Sequence, residues 1–215
     1  MDVNFDKAYL TDSVRILCGV DEAGRGPLAG PVVAGACVLP EGVEIEFLND
    51  SKKLSEKKRD ALYDVITEKA LYWGVGIATA EEIDEINILN ASLLAMRRAV
   101  EDSGISPDLI LVDGNIDRNF KQPAIAIVGG DAKSPSIAAA SIIAKVTRDR
   151  MMADIDREFP GYGIAGHKGY PTKAHKLAVY RLGPAPCHRR SFLSFLERDR
   201  EKLAKWDAEE RAKGK

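Results

Sequence analysis

No window of this sequence is apolar enough to span a bilayer, and its opening residues, MDVNFDKAYL, lack the basic start and long apolar core of a secretory signal. A cytoplasmic protein with no membrane partner is expected. Cysteine is scarce: Cys18, Cys37 and Cys187 form no C-x-x-C pair and no zinc spacing, and an odd number fits a reducing compartment better than a disulfide framework. All three read as buried or inert. An excess of one charge is also lacking. With 31 Lys and Arg against 33 Asp and Glu, the net charge is -2, so a polyanion would have to be held by basic residues gathered locally. Internal repeats and low-complexity linkers are missing apart from the frayed end EERAKGK, and 45% hydrophobic residues in 215 are ordinary for a globular chain able to bury a real core.

What is present is a series of short aliphatic runs and helical stripes. Residues 14–22 and 32–39 are apolar runs joined by a turn crowded with Gly and Pro, which predicts antiparallel strands; a third strand is predicted over 72–79. Ser55 precedes a segment in which Leu62, Val65, Ile66 and Lys69 recur at helical spacing, a surface helix with a serine cap. Thr79 and Glu82 have capping-box spacing, and Ile83, Ile86, Leu89, Leu93 and Met96 continue one stripe to Gly104. The compact runs DLILVD (108–113) and PAIAIV (123–128) predict two central strands. From Ser134 a long helical pattern, with Pro135 in its first turn, stops at Pro160-Gly161. A loop, YGIAGHKGYPT, a helix from about Thr172 to Leu182 and a charged helical tail from about Ser191 follow. Strands first and then strands mixed with helices predict an α/β fold, a mixed sheet with helices packed on it.

The first strand ends oddly. In CGVDEAGRGPLAGP (18–31) an apolar approach runs into two adjacent carboxylates, Asp21 and Glu22, where repulsion and desolvation both cost free energy. Asp113 closes the fourth strand and Asp131 follows the fifth just past Gly129-Gly130. If these strands lie side by side, their acidic ends meet at one sheet edge, where several carboxylates need cations among them. Hard oxygen ligands without Cys or His select Mg²⁺ or Mn²⁺ over zinc. Four carboxylates can hold two such ions roughly 3.5–4 Å apart, the arrangement that clamps the attacking and leaving oxygens of a phosphoryl displacement. A single Asp at a strand end is more often a turn or cap residue; the repetition is what favours a metal centre. Alternation along a strand sends Asp21 and Glu22 to opposite faces, so the pleat is expected to break at Glu22.

The turn GRGPLAGP contains a G-x-G-x-x-A string at Gly24, Gly26 and Ala29, but Pro27 and Pro31 and a following strand exclude the helix a dinucleotide fingerprint needs. The glycines instead let the backbone approach a substrate, with Arg25 near a phosphate or hydroxyl; simple hairpin geometry explains the segment equally well. Basic residues gather at NDSKKLSEKKR (49–59), where Lys52 and Lys53 are candidate phosphate contacts, at HKGYPTKAHK (167–176) and at HRR (188–190). Each run alone suits a solvated face. Tyr170, between Gly169 and Pro171, is placed to stack on a sugar or base, or to anchor its loop by packing.

The stretches VDEAGRGPLAGPVVAGA, NDSKKLS, LILVDGN, GGDAKSPSIAAASIIAKVTRDRMM and HKGYPTKAH, in that order over about residues 16–176, closely resemble the ribonuclease HII family. The resemblance implies a ribonuclease H-like fold with a mixed five-stranded sheet flanked by helices: a catalytic domain over 14–160, with a small helical C-terminal region (161–215) packed on it. It implies a monomeric endonuclease that cuts the RNA strand of RNA–DNA hybrids and single ribonucleotides embedded in duplex DNA, leaving 3′-hydroxyl and 5′-phosphate ends. The family's four metal-binding acids fall on Asp21, Glu22, Asp113 and Asp131, its Gly-Arg-Gly motif on Gly24, Arg25 and Gly26, and its sugar-stacking tyrosine on Tyr170. Ribonuclease HIII proteins look less similar, with a long N-terminal extension and usually Lys where Arg25 stands. The tail carries no convincing clamp-binding peptide, which leaves a sliding-clamp partner open. The competing readings are a non-catalytic nucleic-acid-binding module, whose acid set would be broken, and another metal-dependent nuclease of the same fold.

Overall fold

A computed structural model of the chain describes residues 2, 4–48, 54–118 and 120–213. Its strands are β1 (Leu17–Ala23), β2 (Val32–Val38), β3 (Tyr72–Ala78), β4 (Leu109–Asp113) and β5 (Ala124–Ile127), joined in one sheet of order β3-β2-β1-β4-β5. β1 pairs antiparallel with β2, and β2 with β3, whereas β4 runs parallel to β1 and β5 parallel to β4. The expected mixed five-stranded sheet is therefore present. β2 is buried at every position, which is why its run VVAGACV has no polar alternation.

Helices α1 (Glu56–Lys69), α2 (Ala80–Asp102) and α3 (Pro135–Glu158) cover the sheet. Cys18, Val20, Ile110 and Val112 share a core with Ile83, Leu93 and Met96 of α2, while Leu17, Leu109 and Leu111 pack with Ile137 of α3. Alternation along β1 and β4 thus assigns even positions to the α2 side and odd positions to the α3 side. α3 lies very close to the sheet: a Cβ on Gly19 would stand 2.2 Å from the Ser136 carbonyl carbon, and one on Gly35 2.3 Å from the Ala140 oxygen. That approach brings the alanine-rich start of α3 against the odd-numbered face, where Asp21 lies.

Two expectations need correction. The run 123–128 forms an edge strand rather than a central one, with Ile125 and Val128 exposed; an aliphatic run does not by itself say whether a further strand covers it. The stripe from Ile83 to Met96 is not one straight helix either. Asn87 takes φ 66° and ψ 163°, and its Oδ1 accepts from the N–H groups of Leu89 (3.0 Å) and Asn90 (3.1 Å), restarting the helix. The break changes the helical phase, and Ile88 rather than Leu89 joins the core. Asn87→Ala should cost about 1–2 kcal/mol, because the cap is lost and the glycine-like backbone is kept. Asn87→Gly should cost no more than a few tenths. Thermal melts of the two variants check this.

The C-terminal helices α4 (Ile164–His167), α5 (Lys173–Leu182), α6 (Phe195–Arg198) and α7 (Arg200–Lys213) gather around a core of Leu28, Val179, Leu193, Phe195 and Leu203, so the turn after β1 supplies part of their packing. Cys18 and Cys37 are buried and Cys187 is half-buried; burial pushes the thiols of Cys18 to about 12 and Cys187 to about 11, and that of Cys37 well above its ordinary value. None is a thiolate at neutral pH, in keeping with inert cysteines. Among the described residues no helix is long and apolar enough to cross a membrane.

Candidate active site

Parallel neighbours present their C-terminal ends at the same edge of a sheet. Val20 of β1 faces Val112 of β4, so the next residues, Asp21 and Asp113, stand side by side on the α3 face. Asp113 faces Ile127 of β5, and the chain then turns through Gly129, in a left-handed conformation at φ 63°, into a short 3-10 turn (Gly130–Ala132) that carries Asp131. One carboxylate oxygen from each of Asp21, Asp113 and Asp131 lies within 4.8 Å of the others. Asp21 and Asp131 are buried and Asp113 is half-buried.

The three are held before any ligand arrives. Asp113 Oδ1 accepts from the N–H of Gly130 at 2.7 Å and of Asp131 at 3.4 Å; Asp21 Oδ1 accepts from the N–H of Glu22 at 2.7 Å, and Ser141 of α3 also bonds its carboxylate. Burial, followed by the charges of Glu22 and Asp113, raises the Asp21 carboxyl well above the usual carboxylate range. An all-oxygen set of crowded carboxylates fits a hard divalent cation, which relieves both penalties together.

Glu22 is not part of this trio. The pleat does not break: β1 pairs in register with β2 through Asp21–Gly35, Glu22–Ala34 and Ala23–Val33, so Glu22 projects to the opposite side from Asp21. Its Oε1 takes a bond from Arg25 Nη1 at 3.2 Å. Burial raises its carboxyl, Arg25 opposes that rise, and the charge of Asp113 is still felt there. The expected break at Glu22 is thus replaced by regular alternation, with the fourth acid at the margin of the cluster.

Gly24, Arg25 and Gly26 follow directly, and Tyr170 joins them. A Cβ on Gly26 would touch the Tyr170 ring edge at 3.6 Å, and Leu28 N–H bonds Gly169 O at 2.8 Å. Tyr170 is 44% exposed, which favours a contact surface over a packed anchor. Two fully buried arginines hold this turn from beneath. Arg189 donates to the carbonyls of Gly30 (2.9 Å), Arg25 (3.0 Å), Pro27 (2.8 Å) and Gly24 (2.7 Å). Arg148 of α3 donates to Pro31 O (3.0 Å), Lys168 O (3.1 Å) and Ala29 O (3.3 Å), tying the turn to the Tyr170 loop. Gly24, at φ 99°, leaves room for Arg148, whose Nε would lie 2.0 Å from a Cβ there.

The sequence singled out Arg189 only as part of the basic run HRR (188–190) and did not single out Arg148. His188 and Arg189 of the HRR run are buried, as is His175 of the second run, and Lys168 pairs with Glu56 at 3.3 Å. Part of each run is therefore structural, while Arg190 stays exposed. Lys52 and Lys53 lie outside the described residues.

The family model described as Ribonuclease HII matches residues 18–195. The chain is 55% identical over 182 residues to a ribonuclease HII of Lachnoclostridium phytofermentans, covering 85% of this chain and 72% of that protein. Among solved structures, the ribonuclease H2 of Pyrococcus horikoshii OT3 is similar with a TM-score of 0.68 at 30% identity, over 88% of this chain and 99% of that one. The RNase HII of Archaeoglobus fulgidus, solved as a complex with PCNA, gives a TM-score of 0.64 at 26% identity, over 81% and 94%. A profile match that begins within β1 and ends at α6, joined to this level of identity, places the chain in the ribonuclease HII family, and its activity is that of a ribonuclease H endonuclease.

Proposed function

We propose that the chain hydrolyses the RNA strand of RNA–DNA hybrids, and duplex DNA on the 5′ side of a single embedded ribonucleotide, leaving 3′-hydroxyl and 5′-phosphate ends. The observation that carries the reading is the meeting of Asp21, Asp113 and Asp131 at one sheet edge beside the glycine turn. We assign these three as ligands of Mg²⁺ or Mn²⁺, and Glu22, which stands outside the trio but close enough for its charge to act on Asp21 and for that of Asp113 to act on it, as the acid that completes the set for two ions from the margin. Such ions, when bound, lower the pKa of an attacking water and neutralise the departing 3′-oxygen. The residues of the chain do the positioning. Asp113 is fixed by two backbone donors, so its oxygens need no rearrangement on binding. Arg25 keeps Glu22 in place, with its own guanidinium half exposed toward solvent. Gly24, Arg25 and Gly26 meet the 2′-hydroxyl, and the Tyr170 ring takes the sugar; that hydroxyl is what separates RNA from DNA. Lys52 and Lys53 are proposed phosphate contacts of the same duplex.

The deciding assay offers a DNA duplex with one ribonucleotide, an all-RNA hybrid and an all-DNA control, each in Mg²⁺ and in Mn²⁺. Cutting only where ribose is present is the expected result; cutting of the all-DNA duplex contradicts the reading. Tyr170→Ala should lower cleavage at the single ribonucleotide by roughly 10–100-fold, a loss of stacking and position worth about 1–3 kcal/mol. The loss on the all-RNA hybrid should be smaller. Equal losses on both substrates would remove Tyr170 from ribose sensing.

A further inference from the structure

All three histidines of the chain, His167, His175 and His188, meet behind Tyr170. His167 and His175 stack at 4.2 Å with 20° between their planes. His175 Nε2 and His188 Nε2 are 3.1 Å apart, and both residues are buried. His175 Nδ1 lies 3.0 Å from the carbonyl oxygen of Tyr170.

The protons in this chain of contacts follow by elimination. A carbonyl only accepts, so His175 Nδ1 carries a proton, and the Nε2 of the neutral ring is an acceptor. His188 Nε2 must then be the donor. Its Nδ1 is left as an acceptor, and of the two Ala185 groups beside it the N–H, at 3.1 Å, lies nearer than the carbonyl oxygen, at 3.3 Å. A proton added to His175 Nε2 would face the His188 Nε2–H at 3.1 Å, and one added to His188 Nδ1 would face the Ala185 N–H at 3.1 Å with only the more distant Ala185 carbonyl oxygen, at 3.3 Å, to accept it. Burial favours the neutral forms, the carbonyls of Tyr170 and Ala185 oppose it, and the neighbouring charges add to it: His175 is held down at about 4 and His188 is lowered as well. The groups facing the pair are His167 on His175, Tyr162 and Cys187 against His188, and the positive Arg190.

This chain joins the two halves of the substrate surface. His188 forms an antiparallel bridge with Ala29, Arg189 N–H bonds Leu28 O at 2.9 Å, and Gly30 N–H bonds Cys187 O at 2.8 Å, so the 187–189 segment is zipped to the turn that carries Gly24 to Gly26. At the other end His175 donates to the Tyr170 carbonyl, and the Tyr170 N–H bonds His167 O at 2.9 Å. We propose that His175 and His188 are positioning residues for ribose selection, a neutral imidazole pair that sets the spacing between the Gly24–Gly26 turn and Tyr170. The proposal rests on reading those two elements as the ribose sensor. An all-RNA hybrid offers a 2′-hydroxyl at every step and tolerates a shift of Tyr170, whereas a lone ribonucleotide offers one register.

The test compares kcat/KM on a duplex with one ribonucleotide and on an all-RNA hybrid. His175→Leu should lose roughly 10-fold or more on the first and no more than about 3-fold on the second, as expected for a displaced recognition group. His175→Asn, whose amide can replace the Nδ1 donor, should recover most of that loss. Equal losses on the two substrates in His175→Leu, or no recovery in His175→Asn, overturn the proposal. Should the leucine variant fail to fold, nitrogen NMR of the histidines in the unaltered protein decides. Nδ1–H on His175 and Nε2–H on His188 at pH 7 support the pair, and any other tautomer or a charged ring refutes it. Tyr170→Ala separates the two levels: no change in its substrate ratio defeats the ribose-sensor reading itself, while a change there without one in His175→Leu defeats only the histidine proposal.

Discussion

Asp113→Asn should give a folded protein whose cleavage in Mg²⁺ is lower by about 10³-fold or more, a loss of roughly 4 kcal/mol of transition-state stabilisation. The fold should survive because the asparagine oxygen can still accept from Gly130 N–H and Asp131 N–H, the two bonds that fix this side chain now. What disappears is one charge from a crowded group in which Asp113 helps push the Asp21 carboxyl upward. Without divalent ions the variant should therefore melt no lower than the parent, and removing the repulsion should raise the midpoint by up to about 2–4 °C for each kcal/mol relieved. Single-turnover cleavage, calorimetric titration with Mn²⁺ and a melt in chelator read the three consequences separately. Turnover within tenfold of the parent would remove Asp113 from the metal centre. Glu22→Gln provides the contrast. Lying outside the trio and paired with Arg25, it should cost less than Asp113→Asn in metal affinity.

That contrast marks how far the site was legible beforehand. The meeting of Asp21, Asp113 and Asp131 follows from strand parity and parallel pairing: runs that end in acid and lie parallel must place their last odd residues together, as the Val20–Val112 register does. The same parity puts Glu22 on the other side, yet the anticipated kink set that rule aside, because side-by-side acids suggested a shared face. The edge position of β5 was not legible, since PAIAIV is as aliphatic as a central strand and only topology leaves Val128 exposed. Asn87 lies inside the stripe that spacing reads as one helix, and its role as an internal cap depends on a backbone angle that spacing does not encode. Buried cations were the hardest to read. Arg148 in VTRDRMM and Arg189 in HRR resemble solvated charge, and the carbonyls that accept from Arg189 belong to residues at least 159 positions earlier in the chain.

Arg189→Leu tests that last point and should be the most destabilising of these substitutions. The guanidinium is fully buried, stacks 5.3 Å from the Phe192 ring and donates to four carbonyls of one turn. Burial and the nearby charge of Arg148 pull it down to about 9, which leaves it charged at neutral pH. Leucine removes the cost of burying that charge but abandons four acceptors, each worth about 1–3 kcal/mol when left dry and unpaired. Water can reach some of them, so a net loss of about 4 kcal/mol is expected, or a fall in melting midpoint of about 8–16 °C at this chain length. Arg189→Lys should recover less than half, because an ammonium cannot reproduce the planar fork that serves Gly24, Arg25, Pro27 and Gly30 together. The turn released follows Asp21 and Glu22 directly and carries the Arg25 that pairs with Glu22, so the acids are disturbed as well; cleavage of the all-RNA hybrid and of the single-ribonucleotide duplex should then fall together, unlike the selective loss expected from His175→Leu. A leucine variant that melts within about 1 kcal/mol of the parent would mean the turn holds its shape from β1 and Arg148 without this support.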